Sequence, residues 1–447
     1  MSLARRDFLR TVAGAAAFRP MAGAADWRVG LASVDITPPA GLWMAGYAAR
    51  KEPAQGAVQP LHAKAIVLED LLRRRAAIVT LDLLGLTAPV VDRISSAVRS
   101  RYGLERKDLV LCSSHTHSGP VVNDQLAVAY DLTSAQWDAV RASTRHIEER
   151  IVAVVGQALD ARQPARLRSA QGTAGFGANR RAAFGPNGPV DPAVPVLSVE
   201  RPDKTLVGIV FGYACHNTTL PAGFVRYHGD YAGVAQAELE RRHPGATALF
   251  VAGCGADANP SPRGTLDLAE QHGRSLALAV DHALSRAVEV RGELRTAFST
   301  VTLAYAPAPG AVEWKRRLES ENVYVRRHAA LMLQTITLEG HTRATEEAPL
   351  HVLRIGNLSF VAISGEVVAD YALAVKRAHG ESTWVAGCTD AVFGYLPSLR
   401  VLREGGYEGG EAMLYYGRPG PFADTVEMTV INGIEALMAA TRGGMEG

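Results

Sequence analysis

The sequence contains few cysteines, and none of them forms a C-x-x-C pair. The four are Cys112, Cys215, Cys254 and Cys388, in a chain of 447 residues. A structural zinc knuckle needs closely spaced cysteines, so their spacing argues against one. All four lie at or near the ends of apolar runs, which favours buried and unreactive thiols. A disulfide between two of them remains the alternative.

Long apolar runs, a large net charge and internal repeats are also missing. Past the N-terminus, no apolar stretch reaches the roughly 18–20 residues that a membrane-spanning helix needs. The formal net charge is +2, with no basic run typical of nucleic-acid binding and no acidic tail. The chain is 47% hydrophobic, which suffices for a large core in one big domain or two ordinary ones.

The first residues predict an export signal. Arg5 and Arg6 are followed by Asp-Phe-Leu, a short apolar run and the small residues Ala22-Gly23-Ala24. This order is typical of a bacterial twin-arginine signal, and the alternatives are a basic N-terminal helix or an uncleaved membrane anchor. We therefore expect residues 1–25 to be a leader, residues 26–447 to form the mature domain, and the protein to be periplasmic or secreted.

Strand-like and helix-like segments alternate along the mature chain. Apolar runs predict strands at residues 29–36, 65–68, 77–84, 194–199, 206–215, 248–252, 358–363 and 383–386. Helical spacing and caps predict helices at residues 90–102, 133–161, 230–243, 266–286, parts of 312–338, 367–378 and 425–440. Residues 176–190 are rich in Gly, Asn and Pro and predict a loop. The alternation predicts an α/β fold, a large single domain with mixed β-sheets flanked by helices.

Two histidines follow the apolar run that begins at Leu109. Residues two apart in an extended chain point to the same side, so His115 and His117 are expected to present both imidazoles to one place. Open α/β sheets bind ligands beyond the carboxyl ends of their strands, and imidazole is the commonest metal ligand. The pair therefore predicts a metal ligand with a second imidazole beside it. Two hydrogen-bonded histidines at a strand end are the alternative.

Other predicted strands end at polar groups of the same kind. They end at His216, Asp257 and Glu366, and the last apolar run leads into a tyrosine-rich loop. Each alone has a structural explanation, such as an edge histidine, a turn aspartate or a carboxylate facing a helix dipole. Their shared position at strand ends predicts that they converge. Two histidines and a carboxylate are a common catalytic zinc set.

Residues 114–120, S-H-T-H-S-G-P, resemble the T-H-T-H-S-G-P signature of the neutral ceramidase family. Residues 29–47 and 61–65 are also similar to the opening of that family, and the resemblance runs in order from about residue 29 to residue 410. The resemblance implies one zinc ion per chain. Its ligands, carried over position by position, are His115, His216, Glu366 and Tyr395. It further implies that His117, Arg180 and Tyr407 contact the substrate.

Two departures from the family pattern concern the chemistry and the domain content. Asp257-Ala258-Asn259-Pro260 stands where the family has G-D-V-S-P, so Asn259 replaces a serine to which the family assigns a catalytic role. We expect Asn259 to contact the substrate and Asp257 to orient the water or act as a base. The family continues into a C-terminal β-sandwich domain, which we expect to be absent here.

These observations predict an exported zinc-dependent hydrolase that cleaves the amide bond of an N-acyl lipid or a smaller N-acyl compound with metal-activated water. His117 and Tyr407 are expected to donate hydrogen bonds to the developing oxyanion, and Arg180 to place a polar or anionic substrate group. A zinc-dependent esterase or lactonase and a non-catalytic periplasmic binding protein are the alternatives. The expected partner is a small-molecule or lipid substrate and not nucleic acid. Transient contact with a membrane surface is an open alternative.

Overall fold

One large β-sheet runs through most of the chain. The computed structural model describes residues 26–185 and 188–442, and the predicted leader lies outside these residues. The strands are β1 Trp27–Asp35, β2 His62–Asp70, β3 Arg75–Leu81, β4 Leu109–Ser113, β5 Gln163–Thr173, β6 Gly177–Asn179, β7 Ala193–Glu200, β8 Leu206–Tyr213, β9 Thr247–Ala252, β10 Ala258–Pro260, β11 Val288–Val290, β12 Leu294–Ala304, β13 Thr345–Ile355, β14 Leu358–Ser364, β15 Glu366–Val367, β16 Trp384–Thr389 and β17 Tyr395–Leu396.

Helices lie between the strands for most of this length. They are α1 Ala88–Tyr102, α2 Ser134–Asp160, α3 Asp230–Arg242, α4 Leu266–Leu284, α5 Ala311–Arg317, α6 Val323–Glu339, α7 Ala369–His379, α8 Leu399–Glu404, α9 Gly406–Gly409 and α10 Val426–Thr441. The predicted capping box starts α2, because the Thr133 side chain accepts from the Gln136 backbone N–H and the Gln136 side chain accepts from the Thr133 backbone N–H. No helix of the described residues is long and apolar enough to cross a bilayer.

The large sheet is mixed, as predicted. Its strand order is β12-β13-β14-β16-β4-β3-β2-β1-β5-β7-β8-β9, with β11 paired to β5. The pairs β3–β4, β8–β9 and β14–β16 are parallel, whereas the pairs joining them are antiparallel. The parallel pairs are joined by the crossover helices α1, α3 and α7. The α/β prediction is therefore confirmed.

The sheet bends so that strands from its two halves share one central core. Ile78 in β3 and Val110 in β4 lie in the same buried cluster as Val210 in β8 and Leu249 in β9. Helices cover the outer faces: α1 and α2 pack over β1–β4, α3 and α4 over β5 and β7–β9, and α7 and α10 over β12–β14. This layering leaves the ends of the strands free to carry polar side chains.

Two short strand pairs follow the ends of β14 and β9. In the first pair, β15 runs parallel to β17, which places Glu366 beside Tyr395. In the second, β10 pairs antiparallel with β6, which places Ala258 beside Asn179. The expectation of an irregular loop at residues 176–190 is therefore wrong for β6. Its three residues Gly-Ala-Asn carry no apolar alternation, so only the pairing with β10 makes them a strand.

The cysteines form no disulfide. All four are buried free thiols. Burial raises the pKa of Cys112, Cys215 and Cys254 well above the usual value for a thiol. Since the thiolate is the reactive species, these side chains are inert.

Candidate metal centre

The four side chains predicted as zinc ligands meet at one edge of the sheet. His115 follows β4, His216 follows β8, Glu366 follows β14 and Tyr395 begins β17. The Oε2 atom of Glu366 lies 3.0 Å from the Nε2 atom of His115 and 3.0 Å from that of His216. The Tyr395 hydroxyl oxygen lies 3.2 Å from His216 Nε2. All four are buried.

His115 reaches this position through a left-handed turn. Strand β4 ends at Ser113, and the φ angle of His115 is 62°. The extended geometry expected at residues 115–117 is therefore wrong, although the two imidazoles still converge with ring centroids 5.0 Å apart. A positive φ is uncommon for a residue other than glycine, and such strain concentrates at functional sites. The His115 backbone N–H donates to Leu83 O at 2.9 Å, which holds the turn.

Backbone carbonyls orient the two imidazoles. His115 Nδ1 lies 2.7 Å from Leu84 O, and His216 Nδ1 lies 3.0 Å from Gly255 O. Because a carbonyl only accepts, each Nδ1 must carry the proton and donate it. In a neutral ring this leaves the lone pair on Nε2, directed at Glu366. Metal-binding histidines are oriented in the same way.

Both ring nitrogens of His117 are buried and have no hydrogen-bond partner among the described residues. The described residues place ligand atoms of His115, His117 and His216 within 4.8 Å of one another, close enough to share one ion. Buried polar atoms without partners are costly, and a cation would supply the missing partner. Imidazole, carboxylate and phenol donors suit zinc or a similar divalent ion, so the residues fit a metal.

The charges of the cluster also favour a cation. Burial opposes a charge on His115, but the Glu366 carboxylate outweighs burial and raises the pKa of His115 well above its usual value. Burial likewise opposes the Glu366 charge, yet His115 and His216 bring the pKa of Glu366 well below its usual value. Burial lowers the pKa of His216 to about 4 and that of His117 well below the usual value. The cluster thus favours a proton on His115 beside Glu366 and disfavours a charge on His117 and His216.

Arg180 lies next to the cluster, and each of its three guanidinium nitrogens donates a hydrogen bond. Its Nη2 donates to the Tyr395 hydroxyl at 2.8 Å, and its Nε donates to Glu408 Oε1 at 2.6 Å. Its Nη1 donates to Asn259 Oδ1 at 3.3 Å. The guanidinium carbon lies 5.6 Å from the ring centroids of Tyr395 and Tyr407. The structure therefore brings Arg180 and Asn259 together beside Tyr407, but neither Arg180 nor Asn259 lines the cavity that adjoins the cluster.

Asp257 is buried, and its hydrogen bonds hold neighbouring segments of the chain in place. Its Oδ1 accepts from the Ala369 backbone N–H at 2.9 Å, at the start of α7, and its Oδ2 accepts from Asn179 Nδ2 at 3.0 Å. Both oxygens thus hold α7 and the segment before Arg180 rather than the histidines. Burial raises the pKa of Asp257. The expected role of Asp257 as a base has no supporting contact.

A cavity of about 210 Å³ adjoins the cluster. His115, His117, Glu366 and Tyr395 form its polar end. The rest of the wall is aromatic or apolar, formed by Tyr47, Ala48, Ala49, Leu84, Leu126, Ala129, Tyr407, Tyr415 and Tyr416. Tyr407 is 43% exposed, so it stands at the rim, where a substrate would enter.

Two residues of the site were not predicted from the sequence. The Tyr416 hydroxyl donates to Glu366 Oε1. A Cβ atom at Gly46 would lie 2.4 Å from His117 Nδ1, so only glycine leaves room for this imidazole. The sequence contained one signal for each of them. Gly46 lies in Met44-Ala45-Gly46-Tyr47, which resembles the family, and Tyr416 is one of two adjacent tyrosines.

The sequence profile described as neutral/alkaline non-lysosomal ceramidase, N-terminal, matches residues 27–261, just over half of the chain. The chain belongs to this family. The match confirms the resemblance carried by residues 114–120.

Relatives of this ceramidase family are similar in sequence and in fold. Neutral ceramidase 3 from Arabidopsis thaliana is 33% identical over 98 residues, which are 21% of this chain and only 13% of that protein. A crystal structure of neutral ceramidase from Pseudomonas aeruginosa matches with a TM-score of 0.71 and 20% identity, over 90% of this chain and 72% of that one. A structure of a ceramidase complexed with C2 matches with a TM-score of 0.73 and 19% identity, over 92% and 76%. At these identities the structures establish the fold.

Proposed function

We propose that this chain is a zinc-dependent hydrolase that cleaves the amide bond of a small N-acyl compound, with one zinc ion per chain. The convergence of His115, His216 and Glu366 on one point beside a cavity is the observation that supports this proposal best. The membership in a family of ceramidase-like hydrolases agrees with it.

His115, His216, Glu366 and Tyr395 would hold the ion. A divalent cation bound there polarises a carbonyl oxygen and lowers the pKa of bound water toward about 7. Burial raises the pKa of Tyr395 well above its usual value, and the adjacent Arg180 acts in the opposite direction. Arg180 thereby favours the phenolate form that a ligand requires.

The remaining polar groups would bind the reacting amide. His117 and Tyr407 line the cavity beside the cluster and would donate to the carbonyl oxygen as it gains charge, which is worth about 3 kcal/mol for one such donor. Arg180 and Asn259 do not line the cavity, and we assign them a positioning role, because Arg180 donates to Asn259 and to the Tyr395 hydroxyl. We assign Asp257 a positioning role, because its two oxygens hold α7 and Asn179.

The size of the cavity supports a small acyl group. Ligand pockets for drug-sized molecules measure about 300–1,000 Å³, and a cavity of about 150 Å³ holds benzene. A cavity of about 210 Å³ encloses a group somewhat larger than benzene. A short or compact acyl chain fits against Leu84, Leu126 and Ala129, whereas most of a long fatty-acyl chain would remain outside.

The proposed location is the periplasm or the exterior of the cell, and it rests on the leader sequence alone. The adjacent Arg5 and Arg6 carry this proposal. Cell fractionation tests it, with both arginines replaced by lysine. The wild type is expected outside the cytoplasm and the variant inside it, while equal distribution of the two proteins would contradict the proposal.

Hydrolysis of a matched amide and ester tests the reaction. The substrates carry the same short acyl group and release the same chromophore through an amide or an ester bond. The zinc-loaded protein should cleave the amide, chelation should stop cleavage, and added zinc should restore it. Glu366→Gln should lower the rate at least about 100-fold, since removal of a metal ligand removes the chemistry.

A surface variant provides the control for this experiment. Glu435→Gln changes a glutamate whose side chain is 47% exposed and which pairs with His379, away from the cavity. Its rate should equal that of the wild type. Cleavage of the ester alone would favour the esterase or lactonase alternative, and cleavage that survives chelation would contradict the metal.

A further inference from the structure

The two oxygens of the Glu366 carboxylate have different partners. Oε2 lies 3.0 Å from the Nε2 atoms of both His115 and His216. Oε1 instead accepts a hydrogen bond from the hydroxyl of Tyr416. One oxygen therefore faces the histidines, and the other is tied to a tyrosine on a separate segment of the chain.

We propose that Tyr416 is a positioning residue that fixes the Glu366 carboxylate so that it binds the metal through Oε2. The inference rests on the proposed metal site. The terminal torsion of a glutamate side chain is broad, so an unheld carboxylate turns easily. A hydrogen bond to Oε1 removes this freedom and keeps Oε2 directed at the histidines. Groups that orient metal ligands in this way typically contribute 10- to 100-fold to metal affinity.

The position of Tyr416 is itself well determined. Its side chain packs against three buried clusters of the core. A Cβ atom added at Gly394 would lie 3.6 Å from Tyr416 Cγ, so the ring rests on the backbone just before Tyr395. Two residues later, Arg418 Nε lies 2.7 Å from the buried Glu346 Oε2, and its backbone N–H donates to Met413 O at 2.9 Å. The hydroxyl is therefore presented by a fixed segment.

Zinc affinity of the Tyr416→Phe variant tests the proposal. The matched control is Thr296→Val, because the Thr296 hydroxyl also donates to a buried carboxylate, Asp108 Oδ1, at 2.6 Å, outside the metal cluster. Each metal-free protein competes for zinc with a chromophoric chelator, and circular dichroism checks that each is folded. Tyr416→Phe should bind zinc about 10- to 100-fold more weakly than the wild type, and Thr296→Val should bind it as tightly as the wild type.

The outcomes separate this inference from the proposed function. Equal zinc affinity of Tyr416→Phe and the wild type would overturn the inference. An equal loss in both variants would also overturn it, since the loss would then reflect any broken hydroxyl–carboxylate contact. The expected loss in a protein that hydrolyses no amide would support the role of Tyr416 and overturn the proposed function alone. A wild type that binds no zinc would overturn both.

Discussion

The imidazole of His115 and the carboxylate of Glu366 face each other with 3.0 Å between Nε2 and Oε2. The contact joins the end of β4 to the end of β14. His115 Nδ1 already lies against Leu84 O, so Nε2 is the nitrogen left for the carboxylate. A proton on His115 and a bound cation therefore compete for the same position.

Zinc binding should weaken as the pH falls. Glu366 raises the pKa of His115, so a proton on His115 competes with the metal, whereas His216, with its pKa lowered to about 4, stays neutral down to that pH. Affinity should therefore fall with falling pH by up to about tenfold per pH unit when one proton is displaced, and by up to about 100-fold per unit if Tyr395 also loses its proton. Chelator competition at several pH values measures the slope. A flat profile would show that His115 is not protonated or is not a ligand.

Asp257→Asn should reduce stability more than chemistry. The amide would direct its NH₂ group at the Nδ2 donor of Asn179 and lose that hydrogen bond. We expect the free energy of unfolding to fall by about 1–3 kcal/mol and the kcat to fall less than about tenfold. Urea unfolding and initial rates measure the two effects.

An exposed aspartate provides the control for Asp257→Asn. Asp138→Asn changes a side chain that is 72% exposed and should alter the free energy of unfolding by less than about 0.5 kcal/mol. A loss of about 100-fold or more in kcat, with stability unchanged, would restore Asp257 as the general base.

The rate should depend on the length of the acyl chain. The wild type should prefer acyl groups that fit the cavity, with kcat/KM falling at least about tenfold once the chain outgrows it. Leu126→Ala widens the wall and should shift the optimum to longer chains. Leu338→Ala, at a residue that is 76% exposed, should leave the profile unchanged. A wild-type preference for the longest chains would mean that the cavity does not limit the substrate.

The sequence predicted the positions of the main site residues because apolar runs mark buried strands. His115, His216 and Glu366 each follow such a run, and the ends of the strands meet at one edge of the sheet. Strands β5, β12 and β13 were missed, although each has eleven residues. They carry polar residues along half-exposed faces, so no continuous apolar run marks them.

The contacts within the site required the structure. The bond from Tyr416 to Glu366 and the bond from the Ala369 backbone to Asp257 join segments far apart in the sequence. The left-handed conformation of His115 depends on its backbone bond to Leu83. No local pattern encodes such partners, because they arise only when strand ends come together.

Asp390 should be important for the stability of the fold. Its Oδ2 lies 2.7 Å from both His351 Nε2 and Arg106 Nη2, and its backbone N–H donates to Leu111 O in β4. Burial opposes the charge, but His351 and Arg106 lower the pKa of Asp390 from 3.8 to about 2. Asp390→Asn should lower the free energy of unfolding by about 3–5 kcal/mol at neutral pH, because it leaves Arg106 and His351 without their anion.

The pH dependence of stability checks the same group. A carboxylate with a lowered pKa stabilises the fold above its unfolded pKa, so this contribution is complete above about pH 4 and is lost as the pH falls toward about 2. Urea unfolding across this range should show the loss in the wild type and not in Asp390→Asn. Glu435→Gln, at a glutamate whose side chain is 47% exposed, should change stability by less than about 1 kcal/mol. A comparably small effect of Asp390→Asn would contradict the assignment.

Metal analysis of the purified protein tests the central claim most directly. The wild type, His115→Ala and the surface control His341→Ala are loaded with zinc, freed of excess ion and measured, with circular dichroism to check the fold. We predict about one zinc per chain in the wild type and in His341→Ala, and almost none in His115→Ala. No zinc in the wild type, or equal zinc in a folded His115→Ala variant, would contradict the metal centre.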